Sequence, residues 1–297
     1  MTATTAGATP AVPCRFYNRP MSPDAIRAAN RARFARLVAH PDSEIDLAEG
    51  ALCIAADGRP DLDPRPSIER LDRLSGLVRV RLDVGDPPTV VLQRLHDVLY
   101  REGSFRPPTA ASFHDARNSQ LDQVLVRRIG LPISLAIVEL EVAWRLGVAL
   151  HGIGLPGHFI VGGPGGVLVD PAGGGRALRP DDCQALIRRA LGDGVLFHSG
   201  MLRPTGRRQI LARVLRNLRS VHLAARDWPA ALGIVDLLAV VEPTDPDHVR
   251  DRGLLLGRMG RFTEAVTCLG HYLAERPEAH DVTDVSQVIG IFAGRRN

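Results

Sequence analysis

Residues 115–171 constrain the fold of this chain more than any other segment does. An almost wholly apolar segment, residues 135–146, has the length of a buried helix, and Pro132 suits the first turn of that helix. Two short segments of β-forming residues follow, 158–161 and 167–170, and a Gly-Gly-Pro-Gly-Gly run separates them. Such a run predicts a turn between two paired strands. We therefore predict an α+β fold, with helices packed on a small antiparallel sheet.

The two predicted strands carry a polar side chain each, and pairing brings these side chains together. If the strands pair around the glycine loop with Val161 opposite Val167, His158 lies opposite Asp170. Opposite side chains have Cβ atoms about 4.5–5.5 Å apart. An imidazole and a carboxylate at that distance can form a hydrogen bond that orients the ring. This pair would supply two of the three members of a catalytic triad.

The third member of such a triad would stand at the start of the predicted helix, where the positive end of the helix dipole favours a thiolate or an oxyanion. The residues there include Pro132 and Ser134 but no cysteine. Ser134 is the local hydroxyl that an adjacent base could activate as a nucleophile. Its alternative role is structural, to cap the helix or to bond a backbone group of its first turn.

These residues belong to four motifs: Asp115…Asn118-Ser119, Arg127-Arg-x-Gly-x-Pro-Ile-Ser134, Pro156-Gly-His-Phe159 and Asp170-Pro171. Together the motifs resemble the SirB family over roughly residues 45–280. The resemblance implies a transglutaminase-like (papain-like) core followed by tetratricopeptide-like helices. In active transglutaminase-like enzymes the nucleophile is the cysteine of a Gly-x-Cys motif, and the resemblance places that position at Pro132. It thus implies that the nucleophile is missing while His158 and Asp170 match.

Four further residues of these motifs are candidates for ligand binding: Asn118, Ser119, Arg127 and Arg128. They could line the same cleft as the predicted pair, with the arginines bound to a ligand carboxylate. Alternatively, residues 115–119 form an Asx-type turn that leads into a helix over residues 121–126. The arginines would then pair with acidic side chains of the chain itself, which include Asp122, Glu139 and Glu141.

The C-terminal third of the sequence repeats with a period of 34 residues. The pairs separated by this interval are Trp228 and Phe262, Ala231 and Ala265, Leu232 and Val266, Val235 and Leu269, and Pro243 and Pro277. This interval is typical of tetratricopeptide repeats, which stack pairs of helices. Two repeats are too few for an independent solenoid, so we expect them to pack on the core. Their concave face is a candidate surface for a protein or peptide partner.

Composition narrows the class of protein. The 297 residues are 45% hydrophobic and 24% charged, which is typical of globular chains. No apolar run approaches the roughly 20 residues of a membrane span, and residues 1–13 do not have the pattern of a signal peptide, so we expect a cytoplasmic protein. Lysine is absent, which excludes Schiff-base chemistry. The cysteines, at positions 14, 53, 183 and 268, have neither disulfide nor zinc-site spacing, so we expect no metal and no cofactor.

Three regions follow from these patterns. We expect a disordered tail at residues 1–20, helices and the transglutaminase-like core at residues 21–200, and the repeats at residues 201–297. Five helices are predicted outside the core motifs and the repeats, with starts at Ser22, Asp46, Ser67, the run Asp86-Pro-Pro-Thr89 and Arg179.

Six arginines occur between residues 203 and 219, at positions 203, 207, 208, 213, 216 and 219. Such a segment can bind phosphate groups of a nucleic acid. The alternative is an amphipathic helix with a solvated arginine face, whose apolar residues Ile210, Leu211, Val214, Leu215 and Leu218 face inward. No aromatic residues are interleaved with the arginines, so the pattern favours the amphipathic helix and not nucleic acid.

Two hypotheses of function follow. The leading hypothesis is a non-catalytic or degenerate transglutaminase-like protein that acts as a protein-interaction or regulatory module. The alternative is an acyl-transfer or amide-hydrolase enzyme that uses Ser134 with His158 and Asp170.

Overall fold

The structure is a computed structural model that describes residues 21–295. The predicted tail at residues 1–20 lies outside this range. Four helices come first: α1 Pro23–Ala39, α2 Leu47–Asp57, α3 Arg65–Arg79 and α4 Pro88–His96, the last continued by a π-helical turn at Asp97–Glu102. Ser22 and Asp46 cap α1 and α2 as expected, since each side chain accepts a hydrogen bond from a first-turn N–H.

The start of α3 differs from the prediction. The helix begins at Arg65, two residues before Ser67, and Ser67 is a buried residue inside its first turn. Pro66 explains the earlier start, because proline has the φ angle of a helix and its missing N–H has no partner at that position anyway. The N–H of Arg65 instead donates to the Asp63 carboxylate at 3.0 Å.

Helix α6, Pro132–Arg145, is the central helix of the core and follows the short helix α5, Leu121–Arg127. Every residue of α6 from Ile133 to Ala143 is buried, including Glu139 and Glu141. Glu141 forms an ion pair with Arg145 and accepts a hydrogen bond of 2.9 Å from the N–H of Ala48 in the first turn of α2. Its carboxylate thus joins two core helices.

Four strands form one antiparallel sheet in the order β1-β2-β3-β4: β1 His151–Leu155, β2 His158–Gly162, β3 Leu168–Asp170 and β4 Arg176–Leu178. The predicted register of the β2–β3 hairpin is wrong by two residues, because Val161 pairs with Val169 and not with Val167. A three-residue loop, Pro164–Gly166, causes the shift, and Gly165 and Gly166 have φ of 72° and 76°, which glycine adopts without strain.

Six helices complete the chain: α7 Pro180–Leu191, α8 Arg207–Ala224, α9 Trp228–Val241, α10 Asp247–Arg258, α11 Phe262–Glu275 and α12 Val282–Ala293. The 34-residue period is visible in α9 and α11, which start at equivalent positions and bury Ala231 and Ala265 completely. Helices α8 and α9 contribute to the same hydrophobic core as α1 to α6. The repeats therefore pack on the core, as the sequence predicts.

The arginines of α8 are engaged with the protein, so the expected solvated arginine face is wrong for most of them. Arg207 and Arg208 donate to main-chain carbonyls of the N-terminal region at 2.6–2.9 Å. Arg216 and Arg219 pair with carboxylates of the repeat region at 2.5 and 2.7 Å. The apolar residues of α8 are buried as predicted. None of the described helices is both long and apolar enough to cross a membrane.

Candidate functional site

The predicted hydrogen bond between His158 and Asp170 is present. The distance from His158 Nε2 to Asp170 Oδ1 is 2.9 Å, and the side chains are 14% and 6% exposed. The observed register places Asp170 opposite Ile160, so His158 lies diagonally across the hairpin on the same face. Asp170 Oδ1 also accepts a hydrogen bond from the N–H of Ala172 at 3.1 Å, which fixes the carboxylate.

His158 faces a cavity of about 220 Å³, which we call the cleft. Residues 131–133 at the start of α6 line one side, and residues 157–159 line another. Phe113 and His114 contribute from the preceding loop. The remaining wall is one face of α8, made by Arg213, Asn217, Ser220 and Val221. Segments more than 100 residues apart along the chain, from Phe113 to Val221, therefore build the cleft together.

Pro132, the first residue of α6, lines the cleft together with His158. None of the cysteines within the described range lines it. Cys53 and Cys183 are buried elsewhere, and burial raises the pKa of the Cys53 thiol to about 11. At neutral pH this thiol is therefore protonated and a poor nucleophile.

Ser134 is 2% exposed and does not line the cleft. Its Oγ makes no hydrogen bond within residues 21–295, to His158 or to any other group. The residue at the cap position of α6 is Leu131, and no side chain bonds the first turn there. Neither the predicted nucleophilic contact nor the predicted capping contact of Ser134 is formed.

None of the four predicted binding residues lines the cleft. Asn118 is fully buried, where its Nδ2 donates to the Ser112 carbonyl at 2.6 Å and its Oδ1 accepts from Arg127 at 3.2 Å. Ser119 is also buried, whereas Arg128 is exposed and has a left-handed backbone with φ of 58°. These contacts hold the loop in place, and a binding role for the four residues stays a prediction.

Asp115 explains the conformation of the segment that contains Asn118 and Ser119. Its carboxylate accepts a hydrogen bond from the N–H of Arg117 at 2.9 Å, which is the predicted Asx-type turn, and it opens a 3-10 helix at Ala116–Ser119. Arg127 lies 3.5 Å from the same carboxylate. The predicted partner Asp122 is instead bound by Arg59 at 2.6 Å.

Arg213 is a cleft residue that the sequence did not single out from the other arginines. Its Nη2 donates to the carbonyls of Leu155 and His158 at 3.0 and 2.7 Å, and its guanidinium lies 5.4 Å from the centre of the Phe159 ring. Burial lowers the pKa of Arg213, and repulsion from Arg216 adds to the effect. The sequence does contain a signal for Arg213, because Arg213 and Asn217 are one helical turn apart and therefore lie on the same face of α8.

A second histidine–carboxylate pair was not predicted, and its histidine, His96, lines a cavity of about 230 Å³ beside β3 and β4. His96 Nε2 is 3.0 Å from Glu139 Oε1, and the hydroxyl of Tyr100 donates to Glu139 Oε2 at 2.5 Å. Glu139 is fully buried. Burial, together with the negative charge of Glu139, raises the pKa of Tyr100 well above its usual range. The sequence marked Glu139 as an acidic residue in an apolar helix but not its partners.

Within the part of the chain that the structure describes, one group of side chains has metal-ligand spacing: Glu242, Asp245 and His248. Glu242 and Asp245 lie in the turn between α9 and α10, and His248 lies in the first turn of α10. Glu242 is already paired with Arg216 at 2.5 Å, so a cation occupies one side of the group. This ion pair disfavours a metal ion there.

The small antiparallel sheet against a buried helix, with a cross-strand His–Asp pair at the helix start, defines a transglutaminase-like protein with helical repeats attached. Comparison with protein families agrees, since residues 66–216 match the transglutaminase-like superfamily and residues 218–290 match the tetratricopeptide repeat. A UPF0162 protein of Xylella fastidiosa (strain 9a5c) is 34% identical over 247 residues, covering 81% of this chain and 88% of that protein. The chain belongs to the UPF0162 family of transglutaminase-like proteins.

Other relatives extend this comparison. A UPF0162 protein of Pseudomonas aeruginosa is 33% identical over 214 residues, covering 70% of this chain and 77% of that protein. F-box only protein 21 of Homo sapiens is 30% identical over 142 residues, covering 44% of this chain but 22% of that protein. No solved structure matches the chain significantly.

Proposed function

We propose that this chain is a non-catalytic transglutaminase-like protein that binds a peptide segment of a protein partner in the cleft. The observation that carries the proposal is Pro132 in the cleft beside an intact His158–Asp170 pair. Proline has no side-chain group that can attack a carbonyl. The pair that would orient a nucleophile is therefore present, while the position that the resemblance gives to the nucleophile holds a proline ring.

The other side chains of the cleft support the same conclusion. Ser220 is the hydroxyl side chain among the described residues that line the cleft, and its Oγ donates to the carbonyl of Arg216 at 3.0 Å. It belongs to α8 and not to the start of α6, where the helix dipole would favour a developing negative charge. The alternative enzyme would use Ser134, but the hydrogen bond through which His158 would take its proton is not formed.

The repeats support a protein-interaction role. Tetratricopeptide-like helices present extended surfaces to peptides and helices. Because α8 lines the cleft and extends from the transglutaminase-like match into the repeat match, one partner could contact both regions. We further propose that the chain is a SirB-type protein, that it acts in the cytoplasm, and that it needs no cofactor.

Assays of amine incorporation and amide hydrolysis test the proposal, with a cell-lysate peptide mixture as substrate and the wild type, His158→Ala and Ser134→Ala compared. We expect no turnover by any of the three proteins. Turnover by the wild type that is lost in both variants, with folding intact by circular dichroism, would instead establish the serine enzyme.

Binding of the same peptide mixture gives the positive readout. Val221→Trp places a large ring in the cleft, whereas Val240→Trp adds the same ring to the exposed surface of α9. We expect the first variant to lose peptide binding and the second to keep it. Equal binding by both variants would remove the cleft as the binding site.

A further inference from the structure

Arg213 is a charged side chain in the cleft that has no counter-charge. No carboxylate of residues 21–295 pairs with its guanidinium, and the residues outside that range contain no aspartate or glutamate. The next arginines along α8 differ, since Arg216 pairs with Glu242 and Arg219 pairs with Asp251. Because a partly buried charge without a counter-charge is costly, the position of Arg213 beside a cavity indicates that the partner comes from outside the chain.

The hydrogen bonds of Arg213 leave donors free for such a partner. Both of its bonds within the described residues use Nη2, which holds the carbonyls of Leu155 and His158. The N–H groups on Nε and Nη1 make no hydrogen bond to these residues. A guanidinium has five N–H donors in a rigid plane. The two carbonyls therefore fix the plane of the guanidinium while several donors stay available.

The rest of the cleft has the same electrostatic character. The other polar side chains that line it are His114, His158, Asn217 and Ser220, and no aspartate or glutamate is among the lining residues that the structure describes. The start of α6 adds the positive end of a helix dipole, although Pro132 has no N–H and the N–H of Ser134 donates to the Leu131 carbonyl at 2.9 Å. Among the described residues that line the cleft, Arg213 is thus the one side chain with a fixed charge, and the Asp170 carboxylate is bound to His158.

We infer that the cleft binds the carboxylate of an acidic peptide and that Arg213 provides its counter-charge. This inference rests on the proposed function, because it specifies the chemistry of the peptide that the cleft receives. The cavity of about 220 Å³ is too small for a folded module and admits one side chain or a chain end. Phe113, Leu131 and Phe159 supply apolar contacts for the part of the peptide that carries the carboxylate.

Three pools of short synthetic peptides of random sequence test the inference on the full chain. The first pool has aspartate and glutamate with an amidated C-terminus, the second has asparagine and glutamine in their place with a free C-terminal carboxylate, and the third has no carboxylate at all. We expect the third pool to bind at least about tenfold more weakly than whichever of the first two binds best, since a hydrogen bond to a charged group contributes about 1.5–3 kcal/mol. The first two pools distinguish a side-chain carboxylate from a chain end.

The variants separate the role of Arg213 in binding from its role in holding the fold. Arg213→Gln should remove the preference for carboxylate pools. The matched control is Arg208→Gln, because Arg208 also holds main-chain carbonyls through Nη2 but does not line the cleft. A second variant, Asn217→Asp, places a carboxylate one turn from Arg213 inside the cleft. It should remove the preference even if Arg213→Gln fails to fold.

The outcomes distinguish the inference from the proposed function. Equal binding of all three pools by the wild type overturns the inference and leaves peptide binding in place. A carboxylate preference that survives in Asn217→Asp and in folded Arg213→Gln also overturns it. If no pool binds the wild type, both the inference and the proposed function fail. Competition by inorganic phosphate at the same concentration as the peptides would show that any anion suffices. That result would overturn the inference that the ligand is the carboxylate of a peptide.

Discussion

Two histidine–carboxylate pairs lie near the turn that follows β3, and their hydrogen bonds are nearly identical. His158 is 2.9 Å from Asp170, and His96 is 3.0 Å from Glu139. The histidines are 14% and 17% exposed. Each histidine also lines a cavity, of about 220 Å³ for His158 and about 230 Å³ for His96. The surroundings differ, because the first cavity contains the unpaired Arg213, whereas the arginine of the second, Arg101, is paired with Asp97, and Glu139 is fully buried and accepts from the Tyr100 hydroxyl. The length of the hydrogen bond therefore does not distinguish a binding site from a structural contact, whereas the surroundings of each pair do.

The second pair joins two helices to the sheet. His96 ends α4, Glu139 lies in the middle of α6, and the rings of His96 and Tyr100 lie against the backbone of Gly175. Loss of this contact would remove a polar link between α4, α6 and the turn after β3, which leaves the apolar packing of Val91, Leu92 and Leu95 in the core. We therefore interpret the pair as structural and expect its disruption to change stability, while disruption of the first pair changes binding.

The largest effect is expected for Glu139→Ala. The substitution leaves a cavity in the core and removes the acceptor of both His96 and Tyr100, so we expect the free energy of unfolding to fall by about 3 kcal/mol. Asp170→Ala is the matched change in the other pair, and we expect about 1 kcal/mol because His158 can bond water in the cleft. Urea denaturation measures both values. Equal losses would contradict the distinction between the two pairs.

A smaller effect is expected for Gly175→Ala. Gly174 and Gly175 have φ of 74° and 76°, so alanine is strained at either position. At Gly175 the added Cβ would also lie 2.7 Å from a Tyr100 ring carbon, whereas at Gly174 no atom lies within 4 Å.

Gly174→Ala is therefore the control for backbone strain alone. We expect it to cost about 1 kcal/mol and Gly175→Ala to cost about 1 kcal/mol more, since the rings of the His96–Glu139–Tyr100 cluster must move. Thermal unfolding compares the two variants. Identical melting temperatures would mean that the rings yield without cost and that the cluster does not constrain the turn.

The sequence predicted the His158–Asp170 pair although it predicted the wrong register. A shift of two residues keeps every side chain on its original face, because side chains along a strand alternate with a period of two. The register itself depends on the loop, and the φ angles of Gly165 and Gly166 are not visible in the alternation of residues. The face of a strand residue is thus easier to predict than its partner.

The residues that the sequence missed depend on contacts between distant parts of the chain. Glu139 stood out as an acidic residue in an apolar helix, but His96 lies 43 positions earlier and no short motif connects them. Arg213 was one of six arginines with similar spacing. Arg213 differs from the other five because it contacts the carbonyls of Leu155 and His158, which lie more than 50 positions earlier. Only the packed structure brings these groups together.

The smallest effect concerns the pH dependence of stability. Burial and the charge of Glu139 raise the pKa of Tyr100, so the folded protein keeps a proton that the unfolded chain loses above about pH 10. The folded state then binds more protons than the unfolded state, and the free energy of unfolding falls as the pH rises. The contribution of Tyr100 to the slope of this free energy against pH is at most about 1.4 kcal/mol per pH unit.

We expect urea denaturation between about pH 9 and 11 to give a shallower slope for Tyr100→Phe than for the wild type. Equal slopes would mean that Tyr100 titrates in the folded protein as it does in the unfolded chain, and the interpretation of the buried Glu139 cluster as a structural contact would no longer hold.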